Sequence, residues 1–164
     1  METTVLTLNE IDIESVAEGI VDLLESELPG VIEEVNAFKD DGITLNSDVT
    51  VKHDSPVSGF TILSVKDYPA IFIDPIKESE RGGSTGLQFA ISGWIRDTNL
   101  KQIKKKSERF ALAVKATLKK DASLGGIVGG LVIAGIEYSD PFNVTSRDTQ
   151  GTYATFMMDV SYYY

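Results

Sequence analysis

Few side chains in this sequence are of a kind that makes or breaks bonds, and their spacing does not gather them. His53 is the single histidine. It sits beside Asp54 and Ser55, so a Ser-His-Asp relay would have to be built around it, and a two-histidine metal pair is impossible. In a polar stretch with no partner motif, His53 reads as a solvated loop residue. Asp74 follows one apolar run and Asp97 ends another. Two carboxylates can exchange protons or hold a cation, but these positions fit a strand-end turn and a helix cap. There is no cysteine, which removes thiolate nucleophiles, disulfides and Cys-type zinc sites together and fits a chain made in a reducing cytosol. Gly125-Gly126-Ile127-Val128-Gly129-Gly130 has the glycines of a phosphate loop. It lacks the Lys-Ser/Thr ending and precedes a strand pattern where a phosphate loop would precede a helix. Trp94 and Tyr162-Tyr163-Tyr164 could stack on a base or sugar. In a chain of net charge −10, a place in a core or a subunit contact is the better reading. No catalytic, cofactor-binding or metal-ligating residue is assigned, and no cofactor is expected.

The elements that position these residues follow from periodicity. The clearest is the C-terminal run from Thr152 to Tyr164. Ala154, Phe156, Met158, Val160 and Tyr162 alternate with Tyr153, Thr155, Met157, Asp159 and Ser161, with no Gly or Pro between them, which is strand spacing. So apolar a strand needs partners on its edges and cover on its face. Tyr68–Ile76 reads as a strand marked by Pro69 and Pro75 as an edge or a bulge. Leu87–Ile95 reads as a second, with Leu87, Phe89, Ile91 and Ile95 on one face and Gln88, Ser92 and Trp94 on the other. The polar, glycine-containing Lys77–Gly86 between them predicts a long antiparallel hairpin with a mobile tip. Ile127–Tyr138 reads as another strand, closed by Asp140-Pro141, with a polar turn over 143–150.

Two helices complete the pattern. Ile13, Val16, Ile20, Leu23, Leu24 and Leu28 form a stripe from about Asp12 to Leu28, with Asn9 or Asp12 as cap. Pro29-Gly30 then predicts an interruption and a second short helix over Val31–Phe38, ended by Asp40-Asp41-Gly42. Leu100, Ile103, Phe110, Ala111, Val114 and Leu118 share a face of the other main helix, capped from Asp97-Thr98-Asn99 and ended by Asp121–Gly126. Residues 43–66 are irregular, with short strands possible around Val49–Val51 and over Phe60–Val65. The expected fold is a single α+β domain over 1–164. It has a mostly antiparallel sheet of four to five strands, a long hairpin and two main helices on one sheet face, with 43–66 as a possible insertion.

Composition excludes several function classes. The 164 residues are enough for one real core, and 42% apolar with 24% charged residues is ordinary for a globular chain. No apolar run approaches the ~20 residues of a spanning helix. No basic-then-apolar leader is visible at the start. Net acidity argues against general binding of nucleic acid. The charge is unevenly placed. Residues 1–42 hold twelve carboxylates and only Lys39 as a base, whereas 98–120 hold eight basic residues against Glu108. Two solvated helix faces would explain this. The sharper reading joins copies head to tail, with Glu14, Glu18 and Asp22 of one subunit meeting Lys101, Lys104, Lys105 and Arg109 of the next.

The order of elements resembles that of the tail terminator, or tail-completion, proteins of tailed bacteriophages. The resemblance covers most of the chain. It is carried by the Tyr-Pro-Ala-Ile-Phe-Ile strand within Tyr68–Pro75, by Gly86–Asp97 with its Trp-Ile-Arg-Asp ending, by the Leu-led amphipathic helix, and by the Tyr-rich finish over Ala154–Tyr163. It is a pattern and not a signature motif, and 43–66 is a poor fit to the shortest members. The resemblance implies a mixed α+β fold and a virion protein made in the host cytoplasm. It also implies a homohexameric ring that caps the tail tube, stops its polymerisation and meets the head-side connector protein. DNA passes through the hole without specific binding, no membrane is involved, and no catalysis is expected. The hairpin residues Glu78, Ser79, Glu80, Arg81, Gly82 and Gly83 are the candidate docking loop for tube or connector. The alternatives are another head–tail connector or tail protein, or, in a different class, a small ligand-binding or enzymatic α+β module.

Overall fold

The computed structural model describes residues 12–53, 68–145 and 150–164. Helix α1 spans Ile13–Lys39. Asp12 caps it, its Oδ1 accepting a hydrogen bond from the Ser15 backbone N–H at 2.7 Å. That bond holds the Asp12 carboxyl below its ordinary range. The expected break at Pro29-Gly30 does not occur, and one helix runs through Pro29. The buried stripe explains why. Val16, Ile20, Leu24 and Leu28 continue without a phase change into Val31, Ile32 and Val35. Proline in a helix interior costs roughly 3 kcal/mol. Three further buried aliphatic side chains return roughly 1.5–3 kcal/mol each, so continuity wins. Asp40, at φ 42°, closes the helix in the left-handed region.

Strand β1 is Thr50–Lys52, β2 is Ala70–Arg81 and β3 is Ser84–Arg96. The expected strand over Phe60–Val65 and the alternative cap Asn9 lie outside the described residues. The hairpin differs from expectation at its tip. The ladder of β2 and β3 runs out to Arg81 opposite Ser84, leaving Gly82-Gly83 as a two-residue turn. Both glycines have positive φ, 57° and 85°, the backbone that matches the twist of two adjoining strands. Glu78, Ser79, Glu80 and Arg81 are therefore strand residues and not a loop. Pro75 coincides with a shift of register between Pro75 and Lys77, as a residue without an N–H requires.

Helix α2 spans Leu100–Lys120, with Asn99 as its cap. Leu100, expected on the buried stripe, is exposed; at the first helical position it precedes the turn that packs down. Strand β4 is Gly130–Tyr138, starting three residues later than expected. Ile127 and Gly129 stay in the turn, where the Val128 N–H donates to the Ser123 carbonyl. A short β5, Phe142–Val144, pairs with the first residues of β6, Gly151–Tyr163.

The sheet order is β1-β2-β3-β6-β4, with β5 also on β6. Among the described residues only β1 and β2 run parallel. The C-terminal strand thus sits inside the sheet, paired with β3 on one side and with β4 and β5 on the other. This answers the edge hazard that its composition raises. One core gathers the stripes of α1 and α2 with Ile71, Ile73, Leu87, Phe89, Ile91, Phe156, Met158, Val160 and Tyr162. On the opposite face Trp94 meets Phe72, Phe142 and Tyr153 edge to ring, with centroids 5.7–6.4 Å apart.

Candidate subunit-interaction surfaces

The two helices divide the sheet between them. Helix α1 lies against β1 and β2, while α2 lies against β3, β6 and β4. Glu14, Glu18, Asp22, Glu25, Glu27, Glu33 and Glu34 on α1 are all exposed. Lys101, Lys104, Lys105, Lys119 and Lys120 on α2 are exposed as well. The acidic helix therefore covers one lateral edge of the sheet and the basic helix covers the other half. Among the described residues a single ion pair, Lys120–Glu27 at 3.7 Å, joins α1 to α2. Most of the exposed charges on the two helices are not paired with each other among the described residues.

The sequence-predicted contact residues separate into two groups. Glu14, Glu18, Asp22, Lys101, Lys104 and Lys105 stand on the surface, with Lys104 3.1 Å from Asp140 just beyond β4. Arg109 does not. It is only 8% exposed, and its guanidinium grips both carboxylate oxygens of Asp41 while Nη1 also donates to the Ile43 carbonyl at 2.8 Å. The hydrogen bond from Arg109 holds the Asp41 carboxyl well below the usual carboxylate range, and Asp41 in turn raises Arg109. Arg109 thus serves the fold by fastening the chain after α1 to α2. Helical spacing carried a signal: Arg109 stands one turn before the buried Ala113, whereas Lys101, Lys104 and Lys105 lie on the exposed side. Lys106 is similarly engaged, its Nζ 2.5 Å from Asp97. Partial burial pushes Asp97 up, but the Asn99 N–H and Lys106 outweigh it and leave it below its ordinary value.

The candidate docking residues Glu78, Ser79, Glu80, Arg81, Gly82 and Gly83 are all exposed at the far end of the hairpin. The β2–β3 ladder continues through them as far as Arg81 opposite Ser84, outside the buried core. His53 is exposed at the end of β1, while Asp54 and Ser55 lie outside the described residues. Asp74 is on β2 and Asp97 caps the turn before α2 through the Asn99 N–H. Among the described residues no group of three His, Cys, Asp or Glu side chains is placed to hold a metal. A groove of about 630 Å³ lies between α1 and the turn after α2. Asp22, Glu27, Lys120 and Asp121 line it together with Leu23, Leu124 and Ile127. Three of the four charged groups are carboxylates, and Glu27 is paired with Lys120. Among the described residues no helix is long and apolar enough to cross a membrane. No protein-family model matches this chain, and comparison with curated proteins gives no match.

Proposed function

We propose that this chain is a structural subunit of a bacteriophage tail, a tail terminator that closes into a ring on the end of the tail tube. The ring stops tube growth and offers its other side to the head-side connector, and DNA passes through its hole. The observation that carries this reading is the separation of charge. A closed ring of identical subunits needs two different, complementary flanks on each copy. Here an acidic helix borders β1 and β2, a basic helix lies over β3, β6 and β4, and among the described residues one ion pair joins the two helices. Complementary flanks steer copies together and set their order. The net charge of −10 keeps a threaded nucleic acid from sticking. The exposed hairpin end, Glu78–Gly83, is the part that reaches towards the tube or the connector.

The test is electron microscopy of particles made without this protein, together with native mass measurement of the protein at low salt. The reading expects tails of uncontrolled length or tails unattached to heads, and a species of about six copies alone or on tube ends. Normal tails of fixed length in its absence would overturn it.

A further inference from the structure

The register of the sheet carries the ring contact one step further, resting on the ring reading above. Because opposed residues of neighbouring strands share a face, the pairings define rows that cross the whole sheet. One row is Lys52, Phe72, Ser92, Met157 and Glu137. The next is Val51, Ile71, Gly93, Phe156 and Tyr138. Each row begins on β1 and ends on β4, the two strands that have no further partner among the described residues. The ends are complementary. One row has a lysine at one end and a glutamate at the other, both exposed. The other has a β-branched side chain at one end and a tyrosine that is 47% exposed at the other.

We infer that β1 of one copy pairs with the end of β4 of the next, Lys52 against Glu137 and Val51 against Tyr138, so that the sheet continues from subunit to subunit. The direction fits. Strand β1 runs parallel to β2, and β3, β6 and β4 alternate after it, so a following β1 meets β4 antiparallel. The charges fit as well, since this contact brings the neighbour's acidic α1 towards the basic α2. Other pairings are opposed. A symmetric β4–β4 contact would bring two basic α2 helices together. The outer edge of β2 beyond Phe72 carries Pro75, a register shift and the charges of Lys77, Glu78, Glu80 and Arg81, the features by which an edge strand refuses partners. Strand β4 has a register shift of its own, between Ile133 and Gly135, but the regular ladder resumes through Glu137 and Tyr138, and Gly130–Tyr138 has no proline and one charge.

The experiment is a charge exchange, read by sedimentation of the full chain across a concentration range at low salt. Lys52→Glu and Glu137→Lys are each expected to raise the concentration for half-assembly about tenfold, with unchanged melting of the separated subunit. An equimolar mixture of the two single variants restores assembly, because alternating copies regain an opposite pair at every contact. The double variant does the same alone. If the single variants assemble as well as the parent, or the mixture fails to recover, the strand pairing is wrong, although the ring reading stands as long as the parent still forms rings. If the parent stays monomeric at every concentration and on tube ends, both fail.

Discussion

Arg109 on α2 holds both carboxylate oxygens of Asp41, the second residue after α1, and adds a bond to the Ile43 carbonyl. The pair pins the exit of one helix to the flank of the other. Removing a largely buried guanidinium strands the carbonyl and the carboxylate, so Arg109→Ala is expected to destabilise the fold by about 2 kcal/mol. Arg109→Lys recovers only part of this, since an ammonium cannot grip a carboxylate at two points. Denaturant titration of the three proteins checks the order. The pH dependence has a definite sign. The Asp41 carboxyl is lowered on folding, so its contribution is complete above its unfolded value of about 4 and is lost as pH falls below that. Asp41→Asn should flatten the stability profile in that acid range and leave its shape at neutral pH unchanged.

Pro29 interrupts nothing, yet it stands inside α1 without an N–H to give. Pro29→Ala restores one helical hydrogen bond and is expected to stabilise the protein by about 1–3 kcal/mol. Thermal melting reads this directly. A loss of stability would mean that the ring of Pro29 packs in a way that alanine cannot replace.

The fate of Pro29 shows what the sequence made legible and what it did not. Alternation in the last strand and in Leu87–Ile95 marked most of the buried residues of those strands, and the two helix stripes marked Val16, Ile20, Leu24, Leu28, Ile103, Phe110, Ala111, Val114 and Leu118, while Ile71 and Ile73 of β2 and Leu45, Leu124 and Val128 of the loops went unmarked. Those signals report burial on one face, which any correct fold must satisfy. The helix end at Leu28 was misread because a local rule about proline was weighed without the stripe that resumes beyond it. The hairpin tip was misread in the opposite sense. Polarity over Lys77–Gly86 looked like a loop, although a ladder beyond the core needs only backbone bonds and a Gly-Gly turn. Arg109 was placed with the lysines by its charge, while its place one turn before Ala113 put it at the edge of the buried face. The insertion of β6 between β3 and β4, and the rows ending in Lys52 and Glu137, could not be read from local pattern, because register between distant strands is set by the assembled core.

Gly93 lies under the Phe156 ring. A methyl group added there would fall 2.1 Å from Phe156 Cε1, and that ring is held edge-on by Phe110 at 5.6 Å. Both rings are fully buried. Gly93→Ala is expected to cost about 1–3 kcal/mol through overpacking, measured by urea unfolding. Gly30→Ala, with nothing near its added carbon, serves as the contrasting helix substitution and should stabilise by up to about 1 kcal/mol.

Charge reversal on the basic flank tests assembly apart from folding. Lys101, Lys104 and Lys105 are exposed, and among the described residues the one ion pair they make, Lys104–Asp140, joins two exposed side chains, with Lys105 adding a minor attraction to Asp41. Reversing all three to Glu should therefore move the stability of the separated subunit by little more than about 0.5 kcal/mol for each site. Lys106 and Arg109 are left intact because their partners Asp97 and Asp41 belong to the fold. If the acidic face of α1 on a neighbouring copy meets this flank, the reversed protein assembles more weakly, and raising salt from low to about 0.5 M closes most of the gap to the parent, since the screening length then falls below 10 Å. Sedimentation at both salt concentrations reads the outcome. Equal assembly of parent and variant at low salt would remove charge from the contact and leave the strand edges to account for it alone.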